Sequence, residues 1–391
     1  MKILVICQFY YPENFVVTNI AEQLVKCGHD VDVLTGKPNY GYNHILPEYI
    51  HIKEQVINGV NVHRVNLCAR KKTRFSIIKN YLSFWKNSKK WVRHCKTEYD
   101  VVYSMSLSPV TICCAGNLYK KKHHVKHIIH CVDLWPESVL VTKAVRKSSL
   151  AYKLLYKWSR SIYKKADKIL IGSPSFAEYF EKVLKLPTTN LEFVPQCALV
   201  TNTDVTPYKY QEGTNILFCG NLGLIQLIDL IPETMKLLKD KKIYFHVIGM
   251  GPLTDKLIKD IENSGLREHI IYYGPMPASR AASYFKSADA IYVSLKDEGV
   301  VGKTIPNKLM MALAFGKPII GVLKGDGRKI LNEAGGAVLA DENPESIKDA
   351  ILAIDNMSEA AKAQFGKMNS QYYQSHFSVE EVTNKIIESL K

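Results

Sequence analysis

Residues 214–223, TNILFCGNLG, and 242–251, KIYFHVIGMG, decide the fold of this chain. Each is a short apolar run that ends in a glycine pair, Gly220 with Gly223 and Gly249 with Gly251. A run this short, bounded by glycine, reads as a buried strand of a parallel sheet. Downstream, helices over 227–240 and 253–264, strand IIYYG, helix SRAASYFKSA and strand DAIYVSL alternate, followed by NKLMMALAFG, KPIIGV, GRKILNEAG, GAVLA, ESIKDAILAI and SVEEVTNKIIESL. Strand after helix after strand implies a doubly wound parallel sheet.

Upstream the same grammar holds. KILVICQFY, the helix TNIAEQLVKCGHD stopped by Gly28, strands DVDVLTG and VNVHRV, YDVVYSMS, VKHIIHCVD and KILIGS spell a second such sheet. At 391 residues two domains are expected. We assign 1–197 to an N-terminal domain, the polar stretch 198–213 to a linker, 214–375 to a C-terminal domain, and 376–391 to a last helix able to pack back on the first domain. The expected class is α/β, two Rossmann-like doubly wound domains facing across a cleft.

Composition narrows the function. Hydrophobic residues at 47% and charged residues at 23% are those of a globular protein. The nine cysteines form no CxxC pair and mostly sit in apolar runs, so reduced core thiols and a reducing compartment are expected. The first apolar run, Ile3 to Tyr11, reads as a strand rather than a signal, and no stretch of 18 apolar residues exists to span a membrane. The formal charge of +15 is lopsided: residues 1–195 hold 30 Lys/Arg against 14 Asp/Glu, whereas 196–391 hold 22 against 23.

In doubly wound sheets ligands bind beyond the carboxyl ends of the strands. Gly220, Asn221 and Gly223 after one strand, with Gly249 and Gly251 after the next, would let backbone approach a diphosphate. Lys303 and Lys308, in EGVVGKTIPNKLMMALAFGKPII (298–320), would neutralise it. In the first half Asp133 ends an apolar strand, with Glu137 a turn later, and Glu13 follows the first strand. His130 lies three residues before Asp133 and is either a hydrogen-bonding helper or a satisfied core histidine.

The order CGNLG, IGMGP, YYG, ADAIYVSL, EG and PNKLMMALAFGKPII resembles the donor half of retaining glycosyltransferases of family 4, which have the GT-B fold. CVDLWPES (131–138) and QFYYPE (8–13) are similar to the subgroup that builds bacterial O-antigens, capsules and other surface polysaccharides, some of whose members transfer N-acetyl-fucosamine. The resemblance implies a nucleotide-sugar donor held by Gly220, Asn221, Gly223, Gln226, Gly249, Gly251, Glu298, Lys303, Asn307 and Lys308. From their places at strand ends, Asp133 with His130 and Glu137 are read as the catalytic candidates, and Glu13 with Asn14 as the acceptor side. The acceptor is expected to be a saccharide or a polyprenyl-diphosphate-linked sugar; no metal and no other cofactor are expected. The sequence departs from the family's paired glutamates, with Lys303 and Met311 in their places, and carries Asn221 and Gln226 where Arg and Lys are usual.

Residues 70–96 hold ten Lys/Arg and no acid, with Phe75, Ile78, Leu82, Trp85 and Val92 at near-helical spacing. This predicts a basic amphipathic helix able to lie on an anionic membrane surface, and a cytoplasmic enzyme held peripherally at the inner face of the cell membrane. No motif for nucleic-acid binding is present. The rival readings are a UDP-sugar 2-epimerase on the same fold, a nucleic-acid-binding protein and a non-catalytic subunit.

Overall fold

Buried apolar runs form the strands, and the amphipathic segments between them form helices. The computed structural model describes residues 1–71, 73–141, 145–199, 204–300, 302 and 304–391. The chain folds as two compact units, Met1–Gln196 with Val379–Lys391, and Cys197–Ser378.

In unit 1 the strands are β1 (Lys2–Ile6), β2 (Asp30–Gly36), β3 (Glu54–Ile57), β4 (Val60–Val65), β5 (Val101–Ser106), β6 (Lys126–Cys131), β7 (Lys168–Ile171) and β8 (Leu191–Phe193). They pair in the order β3-β4-β2-β1-β5-β6-β7-β8. Helices α1 (Val16–Lys26), α2 (Arg74–His94), α3 (Cys114–His123), α4 (Glu137–Val141), α5 (Leu150–Tyr163) and α6 (Phe176–Glu178) connect them. Ile3 to Ile6 are fully buried, because β1 is central and covered on both faces.

Unit 1 departs from an all-parallel sheet at one edge. β3 pairs antiparallel with β4 through Asn58 and Gly59, both at positive φ (49° and 83°). An Asn-Gly pair in this conformation matches the twist of a two-residue hairpin, so VINGV was the available signal for this strand.

Unit 2 contains β9 (Thr214–Cys219), α7 (Ile231–Lys236), β10 (Ile243–Ile248), α8 (Thr254–Ser264), β11 (Ile270–Gly274), α9 (Ala278–Ser287) and β12 (Ala290–Ser294). It continues with α10 (Asn307–Ala314), β13 (Ile319–Val322), α11 (Gly325–Ala334), β14 (Ala337–Leu339), α12 (Pro344–Asp355) and α13 (Glu359–His376). The sheet order is β11-β10-β9-β12-β13-β14, with every pair parallel. Strand order reverses at β9, which places the switch point at the β9–β12 boundary.

Three expectations change here. The helix expected over 227–240 is a 3-10 turn at Ile228–Leu230 followed by α7 alone. The segment expected to be a free linker belongs, where described, to unit 2: Tyr208 stacks on Tyr284 at 4.0 Å and Tyr210 packs on His246 at 4.3 Å. Its tyrosines bury aromatic faces that a solvated linker would leave in water. Finally, α13 had no counterpart in the sequence reading. It docks through glycine, since a Cβ on Gly366 would lie 2.1 Å from the Gly316 carbonyl, and buried Asn369 donates to the carbonyls of Lys317 (2.7 Å) and Gly336 (2.8 Å).

The last helix, α14 (Val379–Leu390), packs on α1 within unit 1 and buries Val382, Ile386 and Leu390. Ser389 Oγ donates to Glu192 at 2.9 Å. Ile386 is fully buried, so Ile386→Ala should destabilise unit 1 by about 2–4 kcal/mol. Urea unfolding followed by hydrogen exchange should show the loss in β1 and β5 while unit 2 keeps its protection.

Candidate functional site

At the carboxyl edge of the unit 2 sheet, two glycine loops are joined through their backbones. Gly220 N–H donates to Ile248 O (2.9 Å), Leu222 N–H to Met250 O (3.1 Å) and Leu253 N–H to Leu222 O (3.0 Å). Gly249 sits at φ 134°, and a Cβ there would fall 1.9 Å from the Gly220 carbonyl oxygen. A Cβ on Gly251 would meet Leu222 O at 2.5 Å and Asn221 Oδ1 at 2.6 Å. Gly249 and Gly251 are therefore glycine so that the loops can touch each other, which holds whether or not a ligand is bound.

Above this seam lies the side chain of Lys308, in the first turn of α10. Its ammonium is 4.1 Å from the centre of the Phe218 ring, donates to Gln226 Oε1, and lies 3.8 Å from the position a Cβ on Gly220 would take. No carboxylate contributes to its titration; burial pushes the pKa down to about 7, and only the Cys219 thiol works against that shift. Burial in turn pushes the Cys219 thiol up to about 12, so it is uncharged at neutral pH.

No side chain caps α10, because Pro306 occupies the capping position. The helix therefore begins with backbone N–H groups and the positive end of its dipole close to Lys308. An ammonium with no carboxylate partner among the described residues, beside such a helix start, makes a place for an anion.

The donor-side residues are brought together in part. Gly220, Gln226 and Lys308 converge, and Asn221, Gly223, Gly249 and Gly251 build the loops beneath. Asn307 turns back to the Cys197 carbonyl at 3.3 Å. Glu298 is exposed and pairs with Lys296 at 3.5 Å. Lys303 lies outside the described residues. Met311 is buried in the apolar cluster that includes Leu295, Leu309 and Phe315. Phe218, which supplies the ring under Lys308, and Ser294, which donates to the Gln226 carbonyl, were not singled out from sequence.

In unit 1 the carboxyl edge of β1, β2 and β4 carries a buried polar cluster. Glu13 Oε1 accepts from the N–H groups of Asn39 (2.7 Å) and Tyr40 (2.5 Å), fixing the loop after β2. Burial raises the Glu13 pKa against those hydrogen bonds. Arg64, buried on β4, donates to Gly36 O (3.2 Å) and Tyr11 O and lies over the Tyr49 ring at 4.7 Å. Gln8 reaches Asn80, which in turn donates to Asn39 and Cys68. Gln8 Oε1, Glu13 Oε2 and Arg64 Nε are buried with no hydrogen-bond partner among the described residues. Arg64, Asn39 and Gln8 escaped the sequence reading because single polar residues inside strands and loops carry no periodic signal. Asn14 is exposed beside Glu13.

Asp133 stands exposed just beyond β6 and takes a hydrogen bond from the Ser108 N–H; crowding by the protein around it raises its pKa. Glu137 is committed to a structural contact, accepting from the Tyr152 hydroxyl and so tying α4 to α5.

His130 corrects the expectation of a catalytic role. It is fully buried inside the sheet, with Nδ1 on the Tyr103 hydroxyl at 2.7 Å and Nε2 on the Val194 carbonyl at 2.9 Å. Burial lowers its pKa to about 4, so it is a neutral core residue. His127, equally buried between Ser104 (2.7 Å) and Asn117 (2.9 Å), is lowered to about 3.

Among the described residues no three His, Cys, Asp or Glu side chains cluster to hold a metal ion, and no helix is long and apolar enough to cross a membrane.

Residues 14–197 match the family described as "Glycosyl transferase 4-like domain", and residues 213–356 match "Glycosyl transferases group 1". The chain is similar to the probable glycosyltransferase WbjE of Pseudomonas aeruginosa, 26% identical over 248 residues, which are 60% of this chain and 61% of that protein. Its fold matches Anabaena Alr3699/HepE in complex with UDP, with a TM-score of 0.69 at 12% identity over 100% of this chain and 99% of the other. It also matches WaaG, a glycosyltransferase involved in lipopolysaccharide biosynthesis, with a TM-score of 0.71 at 11% identity over the whole of both chains.

The buried histidines set a pH dependence. Their native pKa values lie below the value of about 6.5 in the unfolded chain. On acidification the unfolded state therefore gains protons that the native state refuses. Their contribution is intact above pH 6.5 and is lost towards pH 4, at about 1.4 kcal/mol per pH unit for each histidine. Unfolding of unit 1 measured between pH 7 and 5 should show this slope, and His130→Gln should remove roughly half of the histidine part.

Proposed function

Starting from a chain whose two halves match a glycosyl transferase 4-like domain and a glycosyl transferases group 1 domain, we propose that it is a glycosyltransferase whose unit 2 holds a nucleotide-sugar donor by its diphosphate at Lys308, Gly220 and the start of α10. The ammonium of Lys308, set over Phe218 with no carboxylate partner among the described residues, is the observation that carries this reading. HepE in complex with UDP and WaaG in lipopolysaccharide biosynthesis support a diphosphate donor and a surface-polysaccharide product.

In the proposed reaction the sugar C1–O bond to the diphosphate breaks while an acceptor hydroxyl bonds to C1 on the same face, retaining configuration. The acceptor proton passes to the departing diphosphate, so no nucleophile on the protein is needed. Negative charge grows on the leaving group, where Lys308 and the α10 N–H groups stabilise it more than in the ground state. Lys303 is assigned the same task. Asp133, exposed at a strand end, is assigned to orient the acceptor hydroxyl. The acceptor is a polyprenyl-diphosphate-linked sugar used in bacterial O-antigen or capsule assembly, and the strongly basic first half holds the enzyme at the cytoplasmic face of an anionic membrane.

Binding of nucleoside diphosphates tests the donor site. A lysine that titrates near pH 7 binds a diphosphate as the ammonium, so the affinity for the best of UDP, GDP and CDP should fall about tenfold per pH unit between pH 7.5 and 9. Lys308→Arg should flatten that profile, and Lys308→Met should weaken binding by roughly 10–100-fold at pH 7. Calorimetry showing Lys308→Met equal to the parent would defeat the assignment.

A further inference from the structure

Unit 1 has an outer face that its own core does not use. α2 buries Asn80, Phe84, Ser88 and Val92. Phe75, Ile78 and Leu82, expected to share one apolar stripe with Val92, instead point outward and are 67%, 53% and 45% exposed. At three- and four-residue steps Trp85 and Lys89 continue that outward stripe. α5 behaves the same way: Tyr152, Ser159 and Ile162 are buried, while Leu150 and Leu154 are 72% and 59% exposed. The two helices meet at Trp85 and Trp158, whose rings pack edge to face at 5.6 Å.

Both helices lead into the amino ends of strands, α2 to β5 and α5 to β7. Trp85 and Lys89 from the middle of α2, the second half of α5 and the length of α3 border a groove of about 920 Å³ walled by the two tryptophans, Leu118 and Ile162. Lys89, Lys120, Lys121, Lys126, Lys164 and Lys165 line it. Its one carboxylate, Asp167, is already engaged by Lys120 Nζ at 2.7 Å and the His127 N–H at 2.8 Å. Lys126 donates to the Lys391 carbonyl, so Lys89, Lys121, Lys164 and Lys165 are the groove cations without an acidic partner among the described residues. The groove lies towards the amino edge of the sheet, whereas Glu13 and Asp133 lie at the carboxyl edge.

We propose that this face docks on an anionic bilayer and that the lysine groove holds the phosphate of an anionic lipid headgroup. Phe75, Ile78, Leu82, Leu150 and Leu154 enter the headgroup layer, and the paired tryptophans sit at the boundary between apolar and wet surface. A soluble polyanion such as RNA would satisfy the lysines yet leave those five apolar side chains in water; a bilayer covers both. This deepens the membrane placement proposed above and rests on unit 1 alone.

Vesicle co-sedimentation of the full chain tests it, with phosphatidylcholine vesicles made with and without phosphatidylglycerol. Binding should require phosphatidylglycerol. Lys121, Lys164 and Lys165 are exposed, and their joint replacement by alanine should weaken it on the order of 100-fold. Ile78→Ser with Leu82→Ser should weaken vesicle binding about tenfold, yet leave intact the tryptophan fluorescence change produced by soluble glycerol phosphate. Equal binding to neutral vesicles, parent-like binding by the triple lysine variant, or RNA binding as tight as vesicle binding would each overturn the proposal. Nucleoside diphosphate affinity, measured on the same samples, should be unchanged; this separates failure of the lipid site from failure of the donor site and reveals any misfolded variant.

Discussion

The contact of Gly249 with the Gly220 carbonyl is the constraint on which the unit 2 site depends. With a Cβ position only 1.9 Å from that oxygen, no residue with a side chain fits without moving one loop off the other. Because the loops lie flat against each other, the edge of the sheet beyond Phe218 stays low. Lys308 can then fold over the phenyl ring and reach Gln226. The same geometry removes water from the ammonium and supplies no anion in return. That is an unfavourable place for a charge in the free protein. It becomes favourable only when something negative arrives, which is how a binding site differs from a structural ion pair such as Lys120–Asp167.

Much of the fold was legible because its strands are covered on both faces. Ile3–Ile6, Ile216–Phe218 and Ala290–Val293 are short, continuously apolar and closed by turn residues, and sequence has few other ways to read them. What escaped detection had weak or mixed signals. α13 packs by its glycine and asparagine rather than by an apolar stripe, so its pattern does not repeat at helical spacing. The β3–β4 hairpin depended on one Asn-Gly turn beside half-exposed strands. Tyr208 and Tyr210 looked like linker residues because their partners, Tyr284 and His246, lie far along the chain.

The candidate site was legible in outline and misread in its reasons. The glycines were found, but as ligand-approach residues; their packing shows that loop-to-loop contact alone requires Gly249 and Gly251. Lys308 was found as a cation able to neutralise a diphosphate, but its setting over Phe218 needed coordinates. His130 and Asp133 are only three residues apart, which suggested one shared role. Alternation along β6 and its end separates them: His130 points into the sheet interior, and Asp133 lies past the last strand residue in the open.

The uneven charge of the two halves takes on a physical meaning from where the cations sit. Had the excess been spread over all the helices of unit 1, solubility would explain it. Six lysines instead line one groove, where Lys120 pairs with Asp167 and Lys126 with the Lys391 carbonyl while four stay without an acidic partner among the described residues, on the face where Phe75, Ile78 and Leu150 stand in water. Solubility alone would place apolar side chains elsewhere, and core packing alone would turn them inward. A surface that needs both features at once is one that meets a partner charged at its boundary and apolar beneath it, and the two tryptophans stand where those layers change.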